Sequence, residues 1–299
     1  MLKLDLQEGS RAKVDHHELA SRAGQYLSKS PRPFLRWAGS KRALLPELVG
    51  ALPQHYRHYY EPFLGGGSLF FLLQPRWANL GDLCKDLVET YLAVRDKPSA
   101  VLRYLQPLLP DREKYYAVRA RRSQGPYKRA AEFIYLNKTC WNGLYRVNSQ
   151  GMFNVPYGAP KTPNVVDAEN LQACAEALAS PGVSLTCSDF SETLDAVDKG
   201  DLVFLDPPYV TRHNNNGFID YNERLFSWED QERLADHART AVRNGASVIV
   251  MNAYHQEVLD LYDGFRCREV RRSSTIASFS GARGSVGEAI IWKHGSEAA

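Results

Sequence analysis

No stretch of this 299-residue chain approaches the roughly 18 consecutive apolar residues that suggest a membrane-spanning helix. The N-terminus, MLKLDLQEGSRAKVDHHE, also lacks the apolar core of a secretory signal. Cysteine is scarce: the five residues Cys84, Cys140, Cys174, Cys187 and Cys267 are odd in number and contain no C-x-x-C pair. That pattern argues against a disulfide framework or a zinc site and for reduced thiols in a cytoplasm. The P-loop signature G-x-x-x-x-G-K-[ST] is missing, so Ser40-Lys41 does not mark an NTPase. Also missing are the dinucleotide fingerprint G-x-G-x-x-G and the H-x-E…P-C-x-x-C signature of zinc deaminases. Charge of one sign is lacking overall: the net is +3, with 44% hydrophobic and 24% charged residues. This is ordinary globular composition, with length enough for one large α/β domain plus a smaller insertion.

What is present centres on Leu202-Val-Phe-Leu-Asp-Pro-Pro-Tyr209. Four apolar residues in a row predict a strand buried on both faces, as in a parallel sheet. Pro207 and Pro208 have no backbone N–H to continue a ladder, so Asp206 and Tyr209 fall on a stiff loop at the strand's carboxyl end. Open α/β sheets place their ligands there. The Asp206 carboxylate and the Pro207 carbonyl can both accept hydrogen bonds from an exocyclic –NH2 on a nucleobase. They would favour a tetrahedral nitrogen whose lone pair faces an electrophile, while Tyr209 offers a face for base stacking. A strand ending in a Pro-Pro turn with a solvated Asp is the plainer reading of the same residues.

Other segments surround this loop. Trp37, Gly39 and Ser40-Lys41 precede a helical pattern, ALLPELVGAL, that stops at Pro53. A helix start with a nearby Lys41 suits a carboxylate ligand, whereas Trp37 reads equally as core filling. His58–Phe71 reads as strand, glycine loop (Gly65-Gly66-Gly67) and helix, and glycine lets backbone approach a ligand closely. Asp82, twenty-one residues after Glu61, ends a second expected strand, where an acid can hold ribose hydroxyls. A glycine loop with such an acid suggests a nucleoside cofactor. After the helix 168–179 and the strand 183–187, Asp189 either meets an adenine amine with Phe190 over the ring or caps the next helix. Residues 210–227 are expected as a polar lid. A helix (228–244), a strand (246–251), a second helix and an antiparallel pair (265–276 with 287–292) then follow.

Between 111 and 146 nine Lys/Arg face three acids, a net of +6 in 36 residues, with seven aromatics interleaved. This composition suits phosphate neutralisation and base contacts; an exposed basic helix face is the alternative. The turn-rich LNKTCWNGLYRVN (136–148) and MFNVPYG (152–158) fit loops or a hairpin projecting from the sheet.

Taken in order, the blocks PFLRWAGSK, YYEPFLGGGS, LGD, LNKTCWNGLYRVN with FNVPYG, SDF, LVFLDPPY and the Arg/Ser-rich C-terminal hairpin resemble the Dam-type, DPPY-motif DNA adenine-N6 methyltransferases, from about Pro33 to Trp292. The resemblance implies an α/β fold, a Rossmann-like S-adenosylmethionine-dependent methyltransferase sheet with an inserted, mainly helical target-recognition domain. It implies a catalytic domain of residues 31–83 and 183–294, a recognition insertion of 84–182, and tails of 1–30 and 295–299. The catalytic loop is then Asp206, Pro207, Pro208 and Tyr209. The S-adenosylmethionine site would hold Trp37, Gly39, Lys41, Glu61, Pro62, Phe63, Gly65, Gly67, Ser68, Asp82, Asp189, Phe190 and Asp206, with no metal.

Leu144 and Arg146 match a family pattern associated with reading GATC, and Arg pairs bidentately with guanine. Arg121, Arg122, Lys128, Lys138 and Asn142 complete the expected DNA contacts. The implied reaction flips an adenine out of duplex DNA and methylates its N6 amine. Double-stranded DNA is the expected partner, a cognate restriction endonuclease a candidate one, and a cytoplasmic monomer the expected state. Cytosine-N4 methylation, RNA modification and non-catalytic DNA binding on a methyltransferase scaffold are the rivals.

Overall fold

The computed structural model describes residues 12–13, 30–37, 39, 41–160, 165–210, 226–271 and 287–295. The apolar run 202–205 is a strand buried at every position, in the middle of a seven-stranded sheet. Its strands are β1 (Tyr59–Glu61), β2 (Trp77–Gly81), β3 (Gly182–Thr186), β4 (Leu202–Leu205), β5 (Ser247–Ala253), β6 (Arg266–Arg271) and β7 (Gly287–His294). They lie in the order β3-β2-β1-β4-β5-β7-β6. The first five pair in parallel, whereas β7 runs antiparallel to both β5 and β6. Burial follows position: β5 is buried throughout, while the edge strand β3 is only half covered. The expected C-terminal pair thus forms, its segment beyond 271 lying outside the described residues.

Ten helices occur among the described residues: α1 (Leu45–Val49), α2 (Ser68–Leu73), α3 (Lys85–Asp96), α4 (Pro98–Leu105), α5 (Arg112–Arg119), α6 (Pro126–Thr139), α7 (Ala168–Leu178), α8 (Phe190–Leu194), α9 (Trp228–Arg243) and α10 (Gln256–Leu261). Pro98 cannot donate an i→i−4 bond, so Lys97 leaves helical geometry and α3 gives way to α4. Ser227 and Asp230 cap each other reciprocally at the start of α9.

Alternation along the strands divides the interior into two layers. Leu202, Phe204, Ile249 and Met251 point into one cluster with α1 to α7. Val203, Leu205, Val248 and Val250 point into the other with α8, α9 and α10. Residues of α3 to α7, inserted in sequence between β2 and β3, share their cluster with the sheet. Within the N-terminal tail, Ala12–Lys13 pairs antiparallel with His55–Tyr56. The expected lid, apart from its ends, lies outside the described residues.

Candidate active site

The end of β4 carries Asp206, and its carboxylate is ion-paired. Lys41 Nζ lies 2.9 Å from Asp206 Oδ1 and 3.9 Å from Glu288 Oε2, and it donates to the Gly39 carbonyl at 2.5 Å. The Tyr209 hydroxyl donates to Glu288 Oε2 at 2.8 Å. The Lys41 ammonium also stands 5.0 Å from the Tyr209 ring centroid, so a base stacking on Tyr209 has the opposite face to use. Lys41 and Glu288 are buried, and Asp206 and Tyr209 are half-buried. The loop is anchored from below: fully buried Gln231 donates to the Pro208 carbonyl at 3.5 Å and accepts from Asn252 at 3.1 Å.

Lys41 sits in a short 3-10 turn, residues 41–44, and its ammonium pairs with Asp206. Glu288, which sequence reasoning passed over, belongs to the same cluster. The signal that finds it is sheet register, because β7 starts opposite the end of β5, with Ala253 facing Glu288.

Beside β4, the ends of β1 and β2 bring two more carboxylates to this edge. Glu61 is buried and accepts from the Tyr59 hydroxyl at 2.8 Å. Burial pushes its carboxyl up to about 8, the Tyr59 and Phe70 hydrogen bonds opposing and the Asp206 charge adding. Asp82 accepts from the Gly65 and Cys84 amides, both at 2.9 Å, and burial raises its pKa against those bonds. Pro62, Phe63 and the glycines follow Glu61. Gly67 is the left-handed cap of α2, whose first residue is Ser68. Gly65 has φ +46°, and a Cβ there would lie 2.7 Å from Trp37 Cδ1. Only glycine lets Trp37 cover the loop this closely.

Asp189 does cap the next helix, accepting from the Ser191 amide at 3.0 Å, and it pairs with Arg233 at 3.2 Å. Burial raises its pKa, but the Ser191 and Arg233 contacts outweigh that and lower it. Phe190 is buried, stacked 5.5 Å from Phe63 with Phe226 against both.

Comparison with known proteins fits this arrangement. A family model described as the D12 class N6 adenine-specific DNA methyltransferase matches residues 37–276. The chain belongs to this family. It is 34% identical over 272 residues to the type II methyltransferase M1.LlaDCHI of Lactococcus lactis subsp. cremoris, covering 88% of this chain and 96% of that one. The type II methyltransferase M.MjaIII of Methanocaldococcus jannaschii is 35% identical over 263 residues, with 80% and 90% covered. The DNA adenine methylase of Escherichia coli strain K12 is 31% identical over 274 residues, with 89% and 97% covered. The chain is accordingly an adenine-specific DNA methyltransferase, and no helix among its described residues is long and apolar enough to cross a membrane.

The basic segment of this methyltransferase is less uniform than its composition suggested. Tyr115, Phe133 and Tyr135 are core residues, because α6 packs against α3, α4 and α5; they cannot stack on bases. Arg121 is held by buried Glu132 at 2.9 Å, whereas Arg122 is exposed and Lys128 half-buried. Arg121 and Arg122 lie between α5 and α6, and Lys128 lies in the first turn of α6. Lys138 is at its far end, where burial lowers its pKa among Asp167, Arg36 and Arg32.

The expected hairpin is present. Cys140 bridges Tyr157 and Val147 bridges Phe153, both antiparallel. Asn142 and Arg146 are exposed, Leu144 is half-buried, and Arg146 Nε donates to Asn154 Oδ1 at 2.7 Å. Between Leu144 and Arg146, Tyr145 points inward. It stacks on Trp37 at 5.6 Å and donates to Asp86 at 2.9 Å, so the hairpin is braced against the residue that covers the glycine loop.

Proposed function

We propose that the enzyme transfers a methyl group from S-adenosylmethionine to the N6 amine of an adenine flipped out of a short duplex site, with GATC as the target sequence, releasing S-adenosylhomocysteine and one N6 proton to solvent. The observation that carries this reading is the Asp206–Tyr209 loop at the carboxyl end of the parallel strands, with Lys41 on Asp206 and the glycine loop beside it. The cofactor's chemistry suits the donor set. Trp37 and Gly65 leave a closely covered backbone loop. Asp82 accepts from the Gly65 and Cys84 amides, one on each carboxylate oxygen, and a carboxylate has about four acceptor sites, which leaves capacity for a ribose hydroxyl. Glu61 gives a carboxyl that a cationic amino group would ionise.

In this reading Trp37, Gly39, Glu61, Pro62, Phe63, Gly65, Gly67, Ser68, Asp82, Asp189 and Phe190 surround the cofactor, which supplies an electrophilic methyl when bound. Asp206 and the Pro207 carbonyl accept the two N6–H groups, which aims the nitrogen lone pair. Tyr209 stacks the base on the face away from Lys41, and unstacking it from DNA costs a few kcal/mol. Asp206 stabilises the positive charge that grows on nitrogen, and Lys41 orients the carboxylate from 2.9 Å. Residues 84–182 carry target recognition, Arg146 and Leu144 reading base edges with Asn142, Arg122, Lys128 and Lys138 alongside. The type II names of two relatives favour a cognate endonuclease as a partner of the same site.

The test is incubation of the purified protein with S-adenosylmethionine and unmethylated genomic DNA, with Asp206→Ala in parallel, followed by sequencing for modified bases. N6-methyladenine in one short motif, absent with Asp206→Ala, supports the reading. N4-methylcytosine, or no modification by the wild type, sinks it.

A further inference from the structure

β7 runs antiparallel to β5, so its first residues lie at the sheet edge where the parallel strands end. Glu288 is the second residue of β7 and is 8% exposed. A carboxylate buried to this extent costs free energy unless it is paired and hydrogen-bonded. Here it meets the Tyr209 hydroxyl at 2.8 Å and the Lys41 ammonium at 3.9 Å. Lys41 thus stands between two carboxylates, Asp206 and Glu288, while Gln231 holds the Pro208 carbonyl just before Tyr209 and Glu288 holds the Tyr209 hydroxyl.

We propose that Glu288 is a positioning residue for methyl transfer. It fixes the ring plane of Tyr209 through the hydroxyl and shares Lys41 so that the ammonium does not fully neutralise Asp206. Without Glu288 the Tyr209 hydroxyl loses its acceptor and the ring gains freedom about its side-chain torsions. Lys41 then closes on Asp206 alone and competes with the substrate amine for its oxygens. Both effects act on the reacting geometry and leave the affinity for DNA and cofactor largely intact. This inference rests on the reading of the Asp206 loop as catalytic.

The test uses the full-length protein, tritiated S-adenosylmethionine and unmethylated genomic DNA, with Glu288→Ala, Glu288→Gln, Tyr209→Phe, the Tyr209→Phe/Glu288→Ala double variant and Asp206→Ala compared. Misplacing a reacting group by about 1 Å costs roughly a hundredfold, so Glu288→Ala is expected to lower kcat by about tenfold to a hundredfold. KM for both substrates should stay within about threefold; Tm should fall as the buried contacts are lost, so rates are compared well below the variant's Tm. Glu288→Gln, which keeps an acceptor for the Tyr209 hydroxyl, should recover part of the rate, and the double variant should be no slower than Glu288→Ala. A Glu288→Ala kcat within twofold of wild type, or a loss confined to KM and Tm, overturns the proposal, as does a fully additive double variant. If Asp206→Ala is inactive while Glu288→Ala is unimpaired, only the role of Glu288 fails. If Asp206→Ala keeps the wild-type rate, the catalytic reading falls with it.

Discussion

Asn137, fully buried in α6, clamps the backbone of Arg36 from 101 positions away. It accepts the Arg36 amide at 2.7 Å and donates to the Arg36 carbonyl at 2.6 Å. It also donates to the Gly143 carbonyl at 3.3 Å. Gly143 has φ +64°, and a Cβ there would lie 2.5 Å from Arg36 Cβ, so the turn and the clamp require each other. The next residue, Trp37, touches both the glycine loop and Tyr145. The helical layer therefore sets where the chain passes over the candidate cofactor site.

Replacing Asn137 by Ala removes these bonds and takes a partner from the partly buried Arg36 backbone and from the buried Gly143 carbonyl. The expected loss is about 2–4 kcal/mol of unfolding free energy, read as a lower urea midpoint at unchanged slope. The cofactor KM should rise as Trp37 loosens. A loss of less than about 0.5 kcal/mol, within the range of ordinary surface substitutions, would show that the clamp contributes little.

The central strand and its Pro-Pro stop were legible because their signal is local: four apolar residues, then two residues that cannot donate. The Asp189 cap was legible as one of two alternatives for the same reason. Glu288 was not, because nothing near it in sequence points to Tyr209; only the antiparallel return of β7 joins them. Lys41 was legible as a cation near the site but not its partner, which is distant in sequence. The aromatics of α5 and α6 misled because composition does not say which helix face is covered. Tyr115 and Tyr135 interleave with basic residues along the chain, yet they point into the core.

Arg121 and its neighbour Arg122 should behave oppositely. Arg121 neutralises Glu132, which is 6% exposed, so Arg121→Ala is expected to cost about 1–3 kcal/mol of stability. It should alter the salt dependence of DNA binding little. Arg122 is exposed beside it. Arg122→Ala should leave Tm unchanged and reduce the slope of log K against log salt by roughly one. Thermal melts and fluorescence anisotropy across a salt series separate the two, and the reverse pattern would reassign them.

Glu61 makes stability depend on pH. Its carboxyl is pushed up to about 8 in the folded protein from 4.5, so the folded state keeps a proton that the unfolded chain has released. Below about 4.5 both states hold the proton and nothing is lost. As pH rises from there to about 8, stability falls, and above that it levels off. Glu61→Gln keeps an acceptor for the Tyr59 hydroxyl without the titration. The variant should therefore gain on wild type by a few kcal/mol, to order of magnitude, between pH 5 and 8. Urea titrations at several pH values check this, and parallel curves for the two proteins would contradict it.

Lys41 separates two roles that its position in sequence could not. If its ammonium served a cofactor carboxylate, Lys41→Met would raise the KM for S-adenosylmethionine and leave kcat nearly intact, since only ground-state binding would be lost. The 2.9 Å pair with Asp206 leads to the other outcome. Met fills similar space but removes the cation between Asp206 and Glu288, so the two like charges repel where the ammonium held them together. An Asp206 carboxylate displaced in this way no longer meets the amine of the proposed substrate. Single-turnover methylation by Lys41→Met should therefore slow by about a hundredfold, with the KM for S-adenosylmethionine within about threefold of wild type. Lys41→Arg should rescue little, because a planar guanidinium does not fit the volume or donor geometry of a buried ammonium. A rise confined to KM would return Lys41 to the cofactor.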